Sequence, residues 1–281
     1  MRLGTRGSAL ALAQAEMVAH ALGGAQVVPI TTSGDRDRYG PPTQDKEKWV
    51  KELELALLAG EVDIAVHSAK DVPSRLPEGL ELVGAPPRAD PYDALVGAPS
   101  LDALAEGARV GTASLRRAAQ LRALREDLEV VELRGNVDTR LRRRADGEVD
   151  AAVLATAGLA RLGRAEAVGA VLDELVPAPG QGVIVLEARS GDDAARGAAQ
   201  RITHAATWSA LSTERALVRA LDASCHTPLG THASDGIVRS FVGLPDGSAW
   251  LRDEAPAEEA ARRLLAAGAA DLLRQAEEMG T

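Results

Sequence analysis

Between residues 109 and 161 the chain repeats one design three times, and that repetition fixes the kind of fold available to it. Arg109-Val110-Gly111 reads as a strand, Thr112-Ala113-Ser114 as a turn, and Leu115 to Arg125 as a helix. Leu128 to Leu133, Arg134-Gly135-Asn136 and Val137 to Arg144 follow the same order, as do Ala151 to Ala155, Thr156-Ala157-Gly158 and the helix opening at Leu159-Ala160-Arg161. Short apolar runs alternating with amphipathic helices imply a parallel sheet joined by right-handed crossovers. Each unit places arginine at the strand's carboxyl end or in the first helical turns. A cation there opposes the helix dipole, so local stability does not explain it. A guanidinium offers a planar, doubly donating fork for a carboxylate or phosphate. Arg6, Arg116, Arg117, Arg134, Arg140 and Arg161 are therefore expected to converge on one crevice, while Arg142, Arg143 and Arg144 read as a solvated face.

A second strand end carries different chemistry. Ile64-Ala65-Val66 is a short apolar run of the sort found in a central strand, followed by His67-Ser68-Ala69-Lys70-Asp71-Val72-Pro73. In open α/β sheets ligands bind at the carboxyl ends of strands. Pro73 biases Val72 toward an extended conformation, which stiffens a turn bearing a cation and a carboxylate. Upstream, Leu3 to Ser8 reads as a strand end and glycine turn running into a helix capped by Ser8, with Leu10, Ala13, Met17 and Ala21 as its apolar face. Val27 to Ile30 is the next strand. Residues 35–48 form a long polar loop of the kind that makes a lid, and Trp49 to Ala59 an amphipathic helix.

The remaining segments set the domain plan. Leu80 to Ala85 and Ala94 to Gly97 are strands separated by the proline-rich crossing Pro86 to Pro91. Pro177 to Gly182 is a rigid turn, and the strand from Val183 to Glu187 is placed to return to the first sheet. Beyond residue 206 the pattern changes to a helix from Trp208 to Leu221, two or three strands, and one long final helix from Ala257 to Glu277. The expected domains are 1–87 with 183–203, then 91–179, then a small α+β domain over 206–281.

Composition excludes several classes. A net charge of −9 argues against a general nucleic-acid binder, which needs a basic face. No run approaches the roughly 20 apolar residues that span a bilayer, and the N-terminus lacks the features of a signal peptide. One cysteine makes no internal disulfide, which points to the cytoplasm. That residue, Cys225, lies beside His226 with no zinc-ligand spacing. It reads either as a small buried hydrophobe or, in a loop bounded by glycine and proline, as an accessible thiolate. Asp71 suits general acid/base work, but neighbouring cations lower a carboxyl pKa while burial raises it, and the residues alone leave that contest open.

His67 to Pro73, Gly111 to Arg117, Leu133 to Arg140 and Pro179-Gly180-Gln181-Gly182 together resemble the porphobilinogen deaminase (hydroxymethylbilane synthase) family, in order and spacing from Arg2 to about Gly243. The resemblance implies an α/β fold of two doubly wound domains similar to type II periplasmic binding proteins, plus a small α+β C-terminal domain. It implies a cytoplasmic monomer with no metal, acting on porphobilinogen through a dipyrromethane cofactor joined by a thioether to Cys225. Four porphobilinogens would be added head to tail, each losing ammonia, before release of hydroxymethylbilane. By motif, Asp71 would be catalytic, handling protons at the pyrrole nitrogens and stabilising an azafulvene-like cation. Lys70, Ser114, Arg116, Arg117, Arg134, Asn136 and Arg140 would hold the cofactor's acetate and propionate groups, and Arg6, Ser8 and Arg161 those of the substrate. Two stretches depart from the family. Asp45 to Trp49 replaces a glycine-rich lid, so no lid residue is carried over, and Ala223-Ser224 replaces a Gly-Gly pair, which stiffens the attachment loop.

Overall fold

The computed structural model describes residues 1–32, 47–223 and 227–280. The expected lid loop at 35–48 falls almost wholly outside them, and Cys225 entirely so. The chain divides into two compact units, Met1–Ala89 with Gly182–Ser212 and Asp90–Gln181 with Thr213–Thr281.

In unit 1, strands β1 (Arg2–Arg6), β2 (Gln26–Ile30), β3 (Ile64–Ser68), β4 (Leu80–Gly84) and β10 (Ile184–Arg189) form one sheet in the order β2-β1-β3-β10-β4. The first three are parallel, and β10 runs antiparallel between β3 and β4. Helices α1 (Ala9–Ala21) and α6 (Asp193–Ile202) cover one face through Ala15, Val18, Ala195 and Ala199 against Leu3, Ile64, Val66 and Leu186. Helix α2 (Glu47–Leu58) covers the other with Leu53, Ala56 and Leu57 on Val62, Ala65 and Leu80. A strand buried on both faces reads as a continuous apolar run, which is why Ile64 to Val66 was legible.

Unit 2 repeats the plan. Strands β5 (Asp93–Val96), β6 (Arg109–Thr112), β7 (Glu129–Glu132), β8 (Ala151–Ala155) and β9 (Ala170–Leu172) are ordered β7-β6-β8-β5-β9, with β5 antiparallel to both neighbours. Helices α3 (Leu115–Leu124), α4 (Val137–Ala145) and α5 (Thr156–Arg161) follow the parallel strands. Position for position the two sheets match, the strand that enters after each chain crossing being the antiparallel one. This is the doubly wound arrangement that the sequence implies. A three-stranded antiparallel sheet, β11 (Leu229–Ser234), β12 (Ile237–Gly243) and β13 (Trp250–Pro256), completes unit 2 with helices α8 (Ala257–Ala266) and α9 (Ala269–Gly280). It joins the rest of unit 2 where Phe241 packs on Ala119 and Val176. Helix α7 (Ala205–Ala220) carries the chain from one unit's residues to the other's. No helix among the described residues is long and apolar enough to cross a membrane.

Three expectations need correction. The final helix is two helices, because Gly268 (φ 95°) breaks the run in a conformation that favours glycine. Helix α1 buries Gln14, Ala15, Val18 and Ala19, not the stripe through Met17, which is 53% exposed. A helix of alanine and leucine on nearly all sides has no periodicity to reveal its inner face. Helix α5 begins at Thr156, so Arg161 is its last residue and does not stand in its first turn.

Candidate active site

In unit 1, β1 and β3 are adjacent and parallel, with Leu3 opposite Ile64, so their carboxyl ends share one edge. At the end of β1 stand Arg6, Gly7 and Ser8, whose hydroxyl accepts the Ala11 amide at 3.3 Å and caps α1. At the end of β3 the chain makes a 3-10 turn, Ala69–Asp71, leaving Lys70 and Asp71 half-buried. The turn is held from several sides. The Ala69 amide donates to the Val183 carbonyl on β10's side at 3.0 Å. Ser68 and the buried Gln14 of α1 exchange hydrogen bonds of 2.8 and 3.1 Å. His67 Nε2 lies 2.9 Å from Glu187 Oε2, and both side chains are buried. Val72 is extended (ψ 128°), as a residue before proline should be. The strand end therefore presents one carboxylate and one ammonium on a backbone fixed by its neighbours.

In unit 2 the parallel strands β7, β6 and β8 end at a common edge. Ser114 caps α3 by accepting the Arg117 amide at 3.4 Å, and Asn136 caps α4 by accepting the Thr139 amide at 2.9 Å. Antiparallel pairing of Asp93 with Ala155 brings a carboxylate from β5 to the same edge. Asp93 is fully buried. Its Oδ1 accepts Arg117 Nε (3.0 Å), Arg117 Nη2 (2.7 Å) and Gln181 Nε2 (2.8 Å), and its Oδ2 accepts Arg116 Nη2 (2.8 Å). Burial pushes the Asp93 pKa up, but Arg116 and Arg117 outweigh it and hold the carboxyl well below the usual carboxylate range. Arg116 also donates to the Val176 carbonyl (2.7 Å) and Arg117 to the Val153 carbonyl (3.0 Å). Burial lowers the Arg116 pKa, with Asp93 opposing.

Arg140 differs from this pair. Its Nε donates to the Gly135 carbonyl at 2.8 Å, and among the described residues no carboxylate faces it. Burial, then Arg117 and Arg143, lower its pKa to about 10. Burial likewise lowers that of Arg161. Arg134 is exposed and pairs with Glu132 at 2.6 Å.

The expected residues thus fall into two sets. Arg6, Ser8, Lys70 and Asp71 gather at the ends of β1 and β3. Ser114, Arg116, Arg117, Arg134, Asn136, Arg140 and Arg161 gather around the ends of β6, β7 and β8. Of the three arginines expected as a solvated face, Arg142 is exposed, while at the surface Arg143 pairs with Glu148 at 2.7 Å and Arg144 donates to the Gly97 carbonyl at 3.2 Å. Arginine in the first turn of α3 has an internal explanation that sequence reasoning missed, Asp93. The strand was expected to begin at Ala94, which left its first residue out of view. Gln181, Gln14 and Glu187 were missed for a related reason, since a polar residue's burial depends on partners far along the chain.

The family model described as "Porphobilinogen deaminase, dipyromethane cofactor binding domain" matches residues 1–197. The chain belongs to the porphobilinogen deaminase family. Curated porphobilinogen deaminases similar to it include that of Rubrobacter xylanophilus, 46% identical over 96% of this chain and 95% of that one. That of Roseiflexus castenholzii is 47% identical over 88% and 87%, and that of a Caulobacter species 45% identical over 92% and 88%. Among solved structures, the methionine binding protein MetQ aligns with 76% of this chain and 94% of its own at 17% identity and a TM-score of 0.47.

Proposed function

We propose that this chain is a porphobilinogen deaminase, a transferase that joins four porphobilinogens head to tail on a dipyrromethane primer and releases hydroxymethylbilane. The observation that carries the reading is the surplus of buried positive charge in unit 2. Among the described residues, buried Arg116 and Arg117 and half-buried Arg140 gather with one carboxylate, that of Asp93, in a protein whose net charge is −9. A guanidinium whose pKa falls because it lies buried beside others lacks an anion. A cofactor and substrate carrying acetate and propionate groups would supply several, so the residues present fit the group.

When bound, the dipyrromethane supplies the pyrrole carbon on which the chain is extended. Each addition would form a carbon–carbon bond there, breaking that carbon's C–H bond and the aminomethyl carbon–nitrogen bond, with ammonia as the leaving group and the displaced proton balancing it. Asp71, as the catalytic carboxylate, accepts hydrogen bonds from pyrrole N–H groups and opposes the positive charge that develops as ammonia leaves. Its fixed turn means that little reorganisation is needed at that moment. Lys70, Arg117, Arg134 and Arg140, with the Ser114 and Asn136 side chains, orient the cofactor's carboxylates, and Arg116 adds its charge to the cluster. Arg6, Ser8 and Arg161 receive those of the incoming porphobilinogen. Cys225 carries the thioether. We assign residues 1–87 with 183–203 to the catalytic carboxylate, 91–179 to carboxylate recognition and 206–281 to cofactor attachment, in a cytoplasmic monomer.

The experiment is an intact mass of the denatured protein with mapping of the peptide spanning Cys225. A covalent excess equal to a dipyrromethane on that peptide is expected, and its loss in Cys225→Ser. A chain unmodified even after incubation with porphobilinogen would overturn the reading. Asp71→Asn should retain the covalent cofactor while turnover falls by about 100-fold or more, the scale of a lost electrostatic or proton-transfer group. Near-normal turnover would remove Asp71 from its role.

A further inference from the structure

Arg116 and Arg117 are neighbours in sequence and equally buried, each 5% exposed, yet their donors are spent differently. Arg116 directs Nη1 to the Val176 carbonyl and Nη2 to Asp93 Oδ2 at 2.8 Å and Gln181 Oε1 at 3.4 Å. Its remaining donor, Nε, is buried with no hydrogen-bond partner. Arg117 brings Nε and Nη2 to one oxygen, Asp93 Oδ1, which holds its guanidinium plane, and it lies near enough to Arg140 to depress that residue's ionisation. Asp93 accepts four hydrogen bonds, three on Oδ1 and one on Oδ2, and it is fully buried, so its oxygens are turned to these protein donors and not to solvent or a ligand.

We propose that Asp93 is a positioning residue for carboxylate recognition, and that Arg116 acts through Asp93 without touching a substrate or cofactor carboxylate. Arg116 occupies one oxygen of Asp93 and neutralises its charge. Arg117, oriented by the other oxygen, thereby keeps its full cationic effect and meets the ligand together with Arg140. The inference rests on the porphobilinogen deaminase reading for its ligand, and on unit 2 alone for its geometry.

It makes a prediction that direct contact by Arg116 does not. In Arg116→Gln, Asp93 cancels the charge of Arg117, and carboxylate affinity should fall about tenfold, the scale of one charge-assisted hydrogen bond. Removing the charge of Asp93 as well, in Arg116→Gln/Asp93→Asn, leaves an amide oxygen to accept from and orient Arg117 while its charge is no longer cancelled, and should recover most of that loss. Unloaded protein is incubated with porphobilinogen, and the fraction gaining a dipyrromethane is read by intact mass. The midpoint shift produced by pyromellitate, a simple polycarboxylate, ranks the same variants without any turnover, and circular dichroism checks folding. A double variant that loads and binds pyromellitate no better than Arg116→Gln overturns the proposal, since contact or packing by Arg116 predicts no rescue. Should Arg116→Gln fail to fold, Asp93→Asn in the loaded enzyme decides. Its KM for porphobilinogen should rise more steeply with salt than the unaltered enzyme's, because one more cation faces the ligand uncompensated, and an unchanged slope overturns the proposal. Failure of the unaltered protein to load would instead count against the function, while the pyromellitate ranking would still decide the role of Asp93.

Discussion

Arg140 shows how a binding group is kept ready at a cost to the fold. Its pKa is lowered to about 10, well below the ordinary arginine range, because burial and two neighbouring guanidiniums disfavour the charged form. Below pH 10 the residue is protonated in both folded and unfolded chains, so the folded state bears that cost in full. The cost is relieved only as pH climbs above about 10 toward the ordinary arginine range. Arg140→Gln should therefore stabilise the unloaded protein at pH 7, by about 1 kcal/mol once solvent screening is allowed for. The same change should weaken pyromellitate binding. Urea unfolding at pH 7 measures the first effect, and an unaltered or lowered midpoint would mean that Arg140 is not strained. Arginine at the strand ends was legible because a cation beside a helix start has no local reason to be there. Asp93 was not, since nothing in Pro91-Tyr92-Asp93 announces that its carboxylate will meet a helix more than twenty residues later.

At the scale of elements, caps and turns do much of the placing. Ser8, Ser114 and Asn136 each cap a helix, and by ending a strand and starting a helix they set where Arg6, Arg117 and Arg140 stand. Ser8 was readable as a cap because capping is a local property, while Ser114 and Asn136 were read only as the turns that precede their helices. The face of α1 and the break at Gly268 were not, for an Ala- and Leu-rich stretch satisfies helix propensity without marking which side is inside. The joint between α7, the turn at Pro179 to Gly182 and β11 is another element-level device. Glu214, fully buried on α7, accepts the Gly180 amide at 2.7 Å with Oε2 and the Ala233 amide at 2.9 Å with Oε1. Glu214→Ala leaves both amides buried without that acceptor, at about 1–3 kcal/mol each. Glu214→Gln keeps one accepting oxygen and should lose roughly half as much. Urea denaturation of the two variants should rank them in that order. Equal midpoints would show that the carboxylate's two amide bonds do not hold the joint.

For the whole molecule the decisive feature is that each five-stranded sheet is completed by the strand entering after a chain crossing. β5 enters after the crossing near residue 90 and inserts antiparallel between β8 and β9; β10 enters after Gln181 and inserts antiparallel between β3 and β4. Repetition of strand, turn and helix made the parallel strands legible. The return of Val183 to Glu187 could be anticipated because it directly follows the second α/β region, but its antiparallel sense depends on long-range pairing that no local pattern encodes. The order of assembly follows from this. A chain ending at Gln181 retains every strand of the β7-β6-β8-β5-β9 sheet but lacks the strand that joins β3 to β4. It also loses helix α6, whose Ala195, Ala198 and Ala199 cover Leu3 and Val66. A three-stranded sheet with a newly unpaired edge and the lone strand β4, with an apolar face uncovered, lack the burial that offsets chain entropy. Amide hydrogen exchange on such a truncated chain should show protection persisting at Val110 and Val153, paired within the second sheet, and disappearing at Leu3 and Val66. Protection at Val66 equal to that in the full chain would mean that the first sheet forms without β10, and that the chain crossing is a connection with no part in its stability.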